Sequence, residues 1–182
     1  LILSFPLNKT FLKRSMVWSL FGFVIHLGFF ASLIQIISNN NLQLTFLEIE
    51  SGKFLIFYIV LIAILMDSIA FFAGKSLGKR PFITNVSPNK TLEGFMAAII
   101  VTPLLLSTIS FNIFNLPFFL VLCILIVVSL YSVLGDAFAS MMKRVVEVKD
   151  YSNVIPGHGG LFDRLDSHVA AFPCFVFLLN IV

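Results

Sequence analysis

Four aspartates in or beside apolar segments are the residues best placed to do chemistry: Asp67, Asp136, Asp163 and Asp166. A carboxylate inside an apolar helix is costly unless it is paired or binds a ligand, and snorkelling to the membrane surface is the alternative for the first two. The last two are spaced i, i+3, so one helical face would present both. Helix capping by Asp163 or Ser167 would explain one acid but not both. Converging carboxylates of this kind suit Mg²⁺.

A basic segment surrounds these acids, and its composition indicates phosphate binding. Lys143, Arg144, Lys149 and Arg164 supply fixed positive charge, and an arginine can hold a phosphate through two donors. Residues 156–160 contain one proline and three glycines, which make a constrained turn whose backbone can approach a ligand. A patch that only attracts anionic lipids is the alternative, but it does not explain the interleaved acids or this turn.

A second segment, residues 87–94, also has phosphate-binding character. Ser87, Lys90 and Thr91 could donate to a phosphate at the start of a helix, where exposed N–H groups add to the attraction. The alternative is helix initiation alone, with Ser87 or Thr91 as the cap and Glu93 as its partner. The three histidines have no metal-ligand spacing with the two cysteines, which argues against a zinc site.

These groups require a membrane scaffold. Of the 182 residues, 59% are hydrophobic and 12% are charged, whereas a soluble domain has roughly 45–50% and about 25%. Four apolar segments are close to the roughly 17–25 residues that span a bilayer, and a fifth is shorter. The five segments are 16–37, 54–73, 95–111, 117–139 and 169–182. The alternative for the fifth is a buried or interfacial helix, but the sequence as a whole predicts an all-α polytopic membrane protein with about five transmembrane helices.

The distribution of lysine and arginine predicts the orientation of these helices. Alternate loops place 11 basic residues on one side of the membrane and one on the other. The basic side is expected to be cytoplasmic, at the inner membrane of the cell. The loops that hold the candidate site residues therefore face the cytoplasm.

Other features limit the function classes. A net charge of +3 is too small for a nucleic-acid binder, and Cys123 and Cys174 lie in apolar runs rather than in a disulfide framework. The chain begins at Leu1 without a methionine, so we expect the C-terminal portion of a longer protein, with residues 1–182 forming one transmembrane catalytic domain. The sequence leaves a homo-oligomer open.

The basic segment resembles the signature of the phosphatidate cytidylyltransferases, or CDP-diglyceride synthetases. The matching elements are Ser140-x-x-Lys143-Arg144, Lys149-Asp150, Pro156-x-His158-Gly159-Gly160 and Asp163-Arg164-x-Asp166. Upstream, Asp67-x-x-Ala70 with Gly74, and Ser87-Pro88-x-Lys90-Thr91-x-Glu93-Gly94, also resemble the family. One departure is Asn89, where the family usually has a second lysine. The resemblance covers roughly residues 54–182 and is closest to bacterial members, whose chains are longer.

The resemblance implies that CTP and phosphatidate react to give CDP-diacylglycerol and pyrophosphate, with Mg²⁺ as cofactor and a second metal ion as an option. It implies Asp136, Asp163 and Asp166 as metal ligands and Asp67 as a further ligand or an orienting group. Asp67, Lys143, Arg144 and Asp163 would act in catalysis. The substrate-binding residues would be Ser87, Lys90, Thr91, Lys143, Arg144, Lys149, His158 and Arg164, although His158 could instead stabilise its turn.

Three other function classes remain open from the sequence. A transporter or channel would use intramembrane aspartates for a permeating cation, but it predicts acids near mid-membrane and weakly charged loops. Another CTP- or lipid-dependent transferase, such as a polyprenol kinase, is distinguished from a phosphatidate cytidylyltransferase only by the family resemblance. A membrane subunit without activity is disfavoured by the complete set of acids and bases.

Overall fold

A computed structural model describes residues 15–38, 51–83, 86–114, 116–148, 150–152, 160 and 162–181. Five long helices dominate these residues. They are α1 (Ser15–Ser38), α2 (Ser51–Leu77), α3 (Leu92–Phe114), α4 (Phe118–Val145) and α6 (His168–Ile181), and the short helix α5 (Phe162–Leu165) precedes α6. The candidate site residues Lys149 and His158 lie outside the described residues.

Five helical segments of the described chain are long and apolar enough to cross a membrane, with α5 and α6 together forming the segment Phe162–Ile181. The prediction of an all-α polytopic membrane protein is therefore confirmed. The outward faces are themselves apolar: Phe57, Phe72 and Phe119 are each more than half exposed. Helices that are hydrophobic on every side are typical of membrane spans, because lipid rather than water covers the outer face.

The helices pack around one apolar core. Ile59 and Ile62 of α2, Leu125 and Val128 of α4, and Phe175 of α6 are almost completely buried in it. Helix α3 packs between α2 and α4, while α1 lies against α6 and α2. Several buried hydroxyls are hydrogen-bonded, as where Tyr58 and Ser110 hydrogen-bond at 2.6 Å between α2 and α3. Such bonds offset the cost of polar groups within an apolar bundle.

A small β-hairpin connects α2 to α3, and the sequence did not predict it. Strand β1 (Pro81–Ile83) pairs antiparallel with β2 (Ser87–Thr91), with Pro81 opposite Thr91. At its base, a Glu93 carboxylate oxygen accepts hydrogen bonds from the backbone N–H groups of Lys79 (3.0 Å) and Arg80 (3.1 Å). Thr91 Oγ1 accepts from the Gly94 N–H at 3.2 Å, so Thr91 caps α3. Thr91 thus caps the helix, whereas Glu93 stabilises the hairpin and not the cap; the phosphate role of this segment stays a prediction.

Close approach of α2 and α3 places this hairpin beside the aspartate of α2. A Cβ atom on Gly94 would lie 2.5 Å from the Ala70 carbonyl oxygen and 3.0 Å from the Cα of Gly74. Any side chain at position 94 would therefore separate the two helices. The glycine lets β2 lie against α2 at the level of Asp67, and residues of both elements line one cavity.

Candidate functional site

Lys143 and two aspartates form a nearly buried ion cluster at one end of the bundle. Lys143 Nζ donates to Asp163 Oδ1 at 2.9 Å and lies 3.6 Å from Asp166 Oδ2. All three side chains are no more than 10% exposed. Helix α4 continues past the predicted end at residue 139 to Val145, so Lys143 is on a rigid helix and not on a loop as the sequence predicted. The helix therefore positions the ammonium group between the two carboxylates.

A second ion pair lies beside the first. Lys90, on β2, binds Asp136, on α4, through a direct hydrogen bond. Asp136 is also close enough to Asp67 and Asp166 for their charges to interact. The structure thus places the four aspartates that the sequence singled out at one end of the bundle, and ion pairs join Lys143 to Asp163 and Asp166 and Lys90 to Asp136. We call these four aspartates with Lys90 and Lys143 the acid–lysine cluster.

Asp163 also organises the backbone around it. Its Oδ2 accepts hydrogen bonds from the N–H groups of Tyr151 and Gly160, both at 2.9 Å. A Cβ on Gly160 would lie 3.1 Å from the Ser152 backbone nitrogen, so glycine permits this tight arrangement. Asp163 therefore has a structural role in addition to its ion pair with Lys143.

Tyr151 is a neighbour of the cluster that sequence reasoning missed. Lys143 Nζ lies 5.2 Å from the centre of its ring, within range of a cation–π interaction. Its hydroxyl donates to the Ala139 carbonyl oxygen at 3.3 Å. Burial raises the pKa of the Tyr151 hydroxyl, despite a smaller opposing effect of Lys143, so the group stays a donor at neutral pH. Only its position next to Asp150 in the basic segment could have drawn attention to it.

The remaining predicted residues lie around the cluster. Arg144 is exposed on α4, and its Nε donates to the Val86 carbonyl oxygen at 3.4 Å, which connects α4 to the hairpin. Arg164 is exposed on α5. Ser87 and Thr91 lie on β2 and line a cavity, and the Thr91 hydroxyl accepts from the Gly94 N–H.

Two cavities flank α4 at the level of the cluster. A cavity of about 230 Å³ lies between α2, the hairpin and α3, and Asp67, Ser87, Lys90 and Thr91 line it. A larger groove of about 670 Å³ lies between α1, α4 and α6 and reaches Asp166. Val133 faces the smaller cavity, and Leu134 and Gly135 face the groove. The cluster can therefore be approached from two chemically different sides.

The cluster supplies carboxylate oxygens, the type of donor that a hard divalent cation prefers. Within the residues that the structure describes, no three carboxylate, imidazole or thiol groups are grouped closely enough to hold a metal ion. Lys143 lies between Asp163 and Asp166, so metal binding there would require its ammonium group to move.

Comparison with known proteins places this arrangement in a family. The model of the cytidylyltransferase family matches residues 2–182. The phosphatidate cytidylyltransferase of Bacillus subtilis (strain 168) is 42% identical over 140 residues, covering 74% of this chain and 52% of the relative. That of Helicobacter pylori (strain 26695) is 40% identical over 118 residues, covering 65% and 44%.

A third relative matches along nearly the whole chain. The phosphatidate cytidylyltransferase of Haemophilus influenzae (strain Rd) is 35% identical over 184 aligned residues, covering 96% of this chain and 62% of the relative. The chain spans about half the length of the curated relatives it matches. These matches confirm the resemblance seen in the acid and base motifs, and the chain belongs to the cytidylyltransferase family.

Proposed function

We propose that the protein containing this chain transfers a cytidylyl group from CTP to phosphatidate, giving CDP-diacylglycerol and pyrophosphate. The observation that carries the proposal is the acid–lysine cluster, where Lys90 and Lys143 lie among four aspartates at one end of a membrane bundle. Relatives named phosphatidate cytidylyltransferase support the same reaction. A lipid substrate also explains why such a site belongs to a membrane protein.

The reaction needs positioning and charge compensation more than a protein nucleophile. A phosphate oxygen of phosphatidate forms a bond to the α-phosphorus of CTP, and the bond from that phosphorus to the bridging oxygen breaks. Pyrophosphate leaves with the electron pair of that bond. Because the attacking oxygen is already anionic, neither a serine or cysteine nucleophile nor a strong base is required, and the barrier is dominated by repulsion between polyanions.

The lysines of the cluster are suited to reduce that repulsion. In the structure, carboxylates hold the ammonium groups of Lys90 and Lys143 in place, and incoming phosphates would become their new partners. Arg144 and Arg164, both exposed beside the cluster, would bind the triphosphate and the lipid headgroup. We assign Ser87, Thr91, Lys149 and His158 to the same phosphates as auxiliary donors.

Mg²⁺ belongs to this proposal as the cofactor, with Asp136, Asp163 and Asp166 as its ligands and Asp67 as a further ligand or an orienting group. When bound, the ion would neutralise charge on the α-phosphate and the leaving pyrophosphate. The aspartates would hold the ion, and the ammonium group of Lys143, which bonds Asp163 in this structure, would bind a phosphate oxygen. The carboxylate oxygens of the cluster support this assignment, since they are the donors that Mg²⁺ prefers.

We also propose that the cluster faces the cytoplasm from the inner membrane. The 11-to-1 distribution of basic residues supports this orientation, and CTP would then reach the site directly from the cytosol. Cysteine introduced at Lys79 of the full-length protein should resist an impermeant thiol reagent added outside intact cells. Labelling of that cysteine from outside would contradict the orientation.

The function itself is tested by incubating the full-length protein in mixed micelles with labelled CTP and phosphatidate. We expect labelled CDP-diacylglycerol, with equimolar pyrophosphate, to form only when Mg²⁺ is present. Replacing phosphatidate with a polyprenol or a polyprenyl phosphate is the control for the other lipid-dependent transferases. Product from those lipids, and none from phosphatidate, would contradict the proposal.

A further inference from the structure

Tyr151 is attached at both ends while its ring faces the buried lysine of the cluster. Its backbone N–H donates to Asp163 Oδ2 at 2.9 Å, and its hydroxyl donates to the Ala139 carbonyl oxygen at 3.3 Å. Between these two attachments, the centre of the ring lies 5.2 Å from Lys143 Nζ. Ala139 and Lys143 are spaced i, i+4 on α4, so they share one face of the helix. The ring is therefore directed at this face by hydrogen bonds in which Lys143 takes no part.

The ring and the carboxylates attract the same ammonium group in different ways. Lys143 Nζ donates to Asp163 Oδ1 at 2.9 Å, and a substrate phosphate would compete with that oxygen for the same donor. The face of an aromatic ring attracts a cation through its quadrupole, without taking a hydrogen bond that a phosphate needs. The attraction is stronger where the cation is shielded from water, and the Lys143 side chain is 10% exposed. The contact with the ring therefore persists when the hydrogen-bond partner of Lys143 changes.

We infer that Tyr151 is a positioning residue: its ring holds the Lys143 ammonium group at the cluster while a substrate phosphate replaces Asp163 as the partner of that group. The inference rests on the proposed function, in which Lys143 binds a phosphate oxygen, and adds to it a residue that acts only through Lys143. A tyrosine that merely fills space beside α4 would contribute to stability and not to the rate, so the two roles can be separated.

The first test compares Tyr151→Leu with Tyr151→Phe in the full-length protein, assayed with CTP and phosphatidate. Leucine keeps an apolar side chain without a ring, whereas phenylalanine keeps the ring and loses only the hydroxyl bond to Ala139. We expect Tyr151→Leu to lower kcat about tenfold, which is about 1.4 kcal/mol and within the strength of a desolvated cation–π contact. Tyr151→Phe should keep most of kcat.

The division between kcat and KM identifies the step at which the ring acts. The KM values of Tyr151→Leu for both substrates should stay within about twofold of wild type, because a displaced ammonium group mainly fails to stabilise charge that develops in the transition state. Equal losses of kcat in the leucine and phenylalanine variants would overturn the inference. A wild-type kcat in the leucine variant, or a loss confined to KM, would overturn it as well.

The second test changes the electron density of the ring and leaves its shape. Phenylalanine that carries one, two or three ring fluorines is incorporated at position 151, and each fluorine weakens the attraction of the ring for a cation. We expect kcat to fall stepwise, to about a tenth of the Tyr151→Phe value with three fluorines. The same series at Phe138 of α4, whose ring contacts those of Trp18 and Phe21, should leave kcat unchanged. A flat series at position 151 would overturn the inference even if Tyr151→Leu does not fold.

The third test needs no turnover, so it separates this inference from the proposed function. The full-length protein in detergent is treated with a water-soluble succinimidyl acetate, and acetylation of Lys143 is measured by mass spectrometry relative to the exposed Lys75. Because the ring favours the charged, unreactive form of the amine, Tyr151→Leu should raise the relative acetylation of Lys143 about threefold, and Tyr151→Phe should not. Equal acetylation in the wild type and Tyr151→Leu would overturn the inference. Raised acetylation in a protein that forms no CDP-diacylglycerol would support Tyr151 as the residue that positions Lys143 and contradict the proposed function.

Discussion

Lys90 and Lys143 both bind aspartates of the same cluster, yet their surroundings differ. The Lys143 side chain is 10% exposed, lies between two carboxylates and faces an aromatic ring. The Lys90 side chain is 36% exposed, comes from a two-stranded hairpin and binds Asp136. A buried lysine among buried acids is needed for the cluster to fold, whereas a lysine at a cavity wall can leave its partner at lower cost. We therefore expect Lys143 to be both structural and functional, and Lys90 to act mainly on substrate.

The largest effect is expected from removing the buried ammonium group. Lys143→Ala leaves Asp163 and Asp166 without their cation, and uncompensated buried charge costs on the order of 3–5 kcal/mol. We expect a large fall in unfolding temperature in detergent, together with loss of CDP-diacylglycerol formation. Lys75→Ala, at an exposed lysine in the last turn of α2, is the matched control. Wild-type stability of the Lys143→Ala protein would contradict the structural role that distinguishes Lys143 from Lys90.

Substitutions of the two aspartates that bind Lys143 should distinguish a role in metal binding from a role in stability. Asp163→Asn and Asp166→Asn each remove a charge that the proposal assigns to the metal, so each should lower activity on the order of 10²-fold. Raising the Mg²⁺ concentration should restore part of that activity by mass action. Only Asp163→Asn should also lower the unfolding temperature markedly. Its amide oxygen can still accept from the Tyr151 and Gly160 N–H groups, but its NH2 group would replace the oxygen that Lys143 Nζ bonds at 2.9 Å, whereas the Asp166 carboxylate is 3.6 Å from that ammonium group. Near-normal activity of either variant at low Mg²⁺ would contradict the metal assignment.

Lys90→Ala tests whether the more exposed of the two lysines acts mainly on substrate. Because the Lys90–Asp136 pair is partly solvated, its net contribution to stability should stay within about 1 kcal/mol. Activity should nevertheless fall at least tenfold if the ammonium group binds a substrate phosphate. Thermal unfolding and initial rates, measured beside the Lys75→Ala control, check both parts. A stability loss as large as that of Lys143→Ala would show that the two lysines have equivalent roles.

The smallest effect is expected at the hydroxyl that caps α3. Thr91→Ala removes the acceptor for the Gly94 N–H and should cost about 1 kcal/mol in the free energy of unfolding. Thr91→Ser keeps the hydroxyl and should recover most of that loss as well as the activity. If Thr91→Ala lowers stability but not activity, the hydroxyl caps the helix and does not bind phosphate. If the Ala and Ser variants are equally stable, the capping role is wrong.

The helical segments could be predicted because hydropathy is a local property of the chain. Residues 16–37, predicted as the first span, lie within the observed helix Ser15–Ser38, and the fourth predicted span overlaps Phe118–Val145. The four aspartates and the basic segment were also identifiable, since a charge in an apolar context is visible without coordinates. Composition and motif spacing thus determined the fold class, the family and the set of polar groups from which the cluster is built.

The tertiary structure decided which of those groups meet. The β2 strand contains Pro88 and Asn89, residues that disfavour strands, so tertiary contacts stabilise it, including its pairing with β1 and its packing against α2 and α3. That packing carries Lys90 to Asp136 on α4, 46 residues away in sequence. Likewise, the continuation of α4 to Val145 places Lys143 between Asp163 and Asp166, and the separation of α1 from α4 opens the groove. Distances between residues far apart in sequence depend on how helices pack, and local propensity contains no information about them.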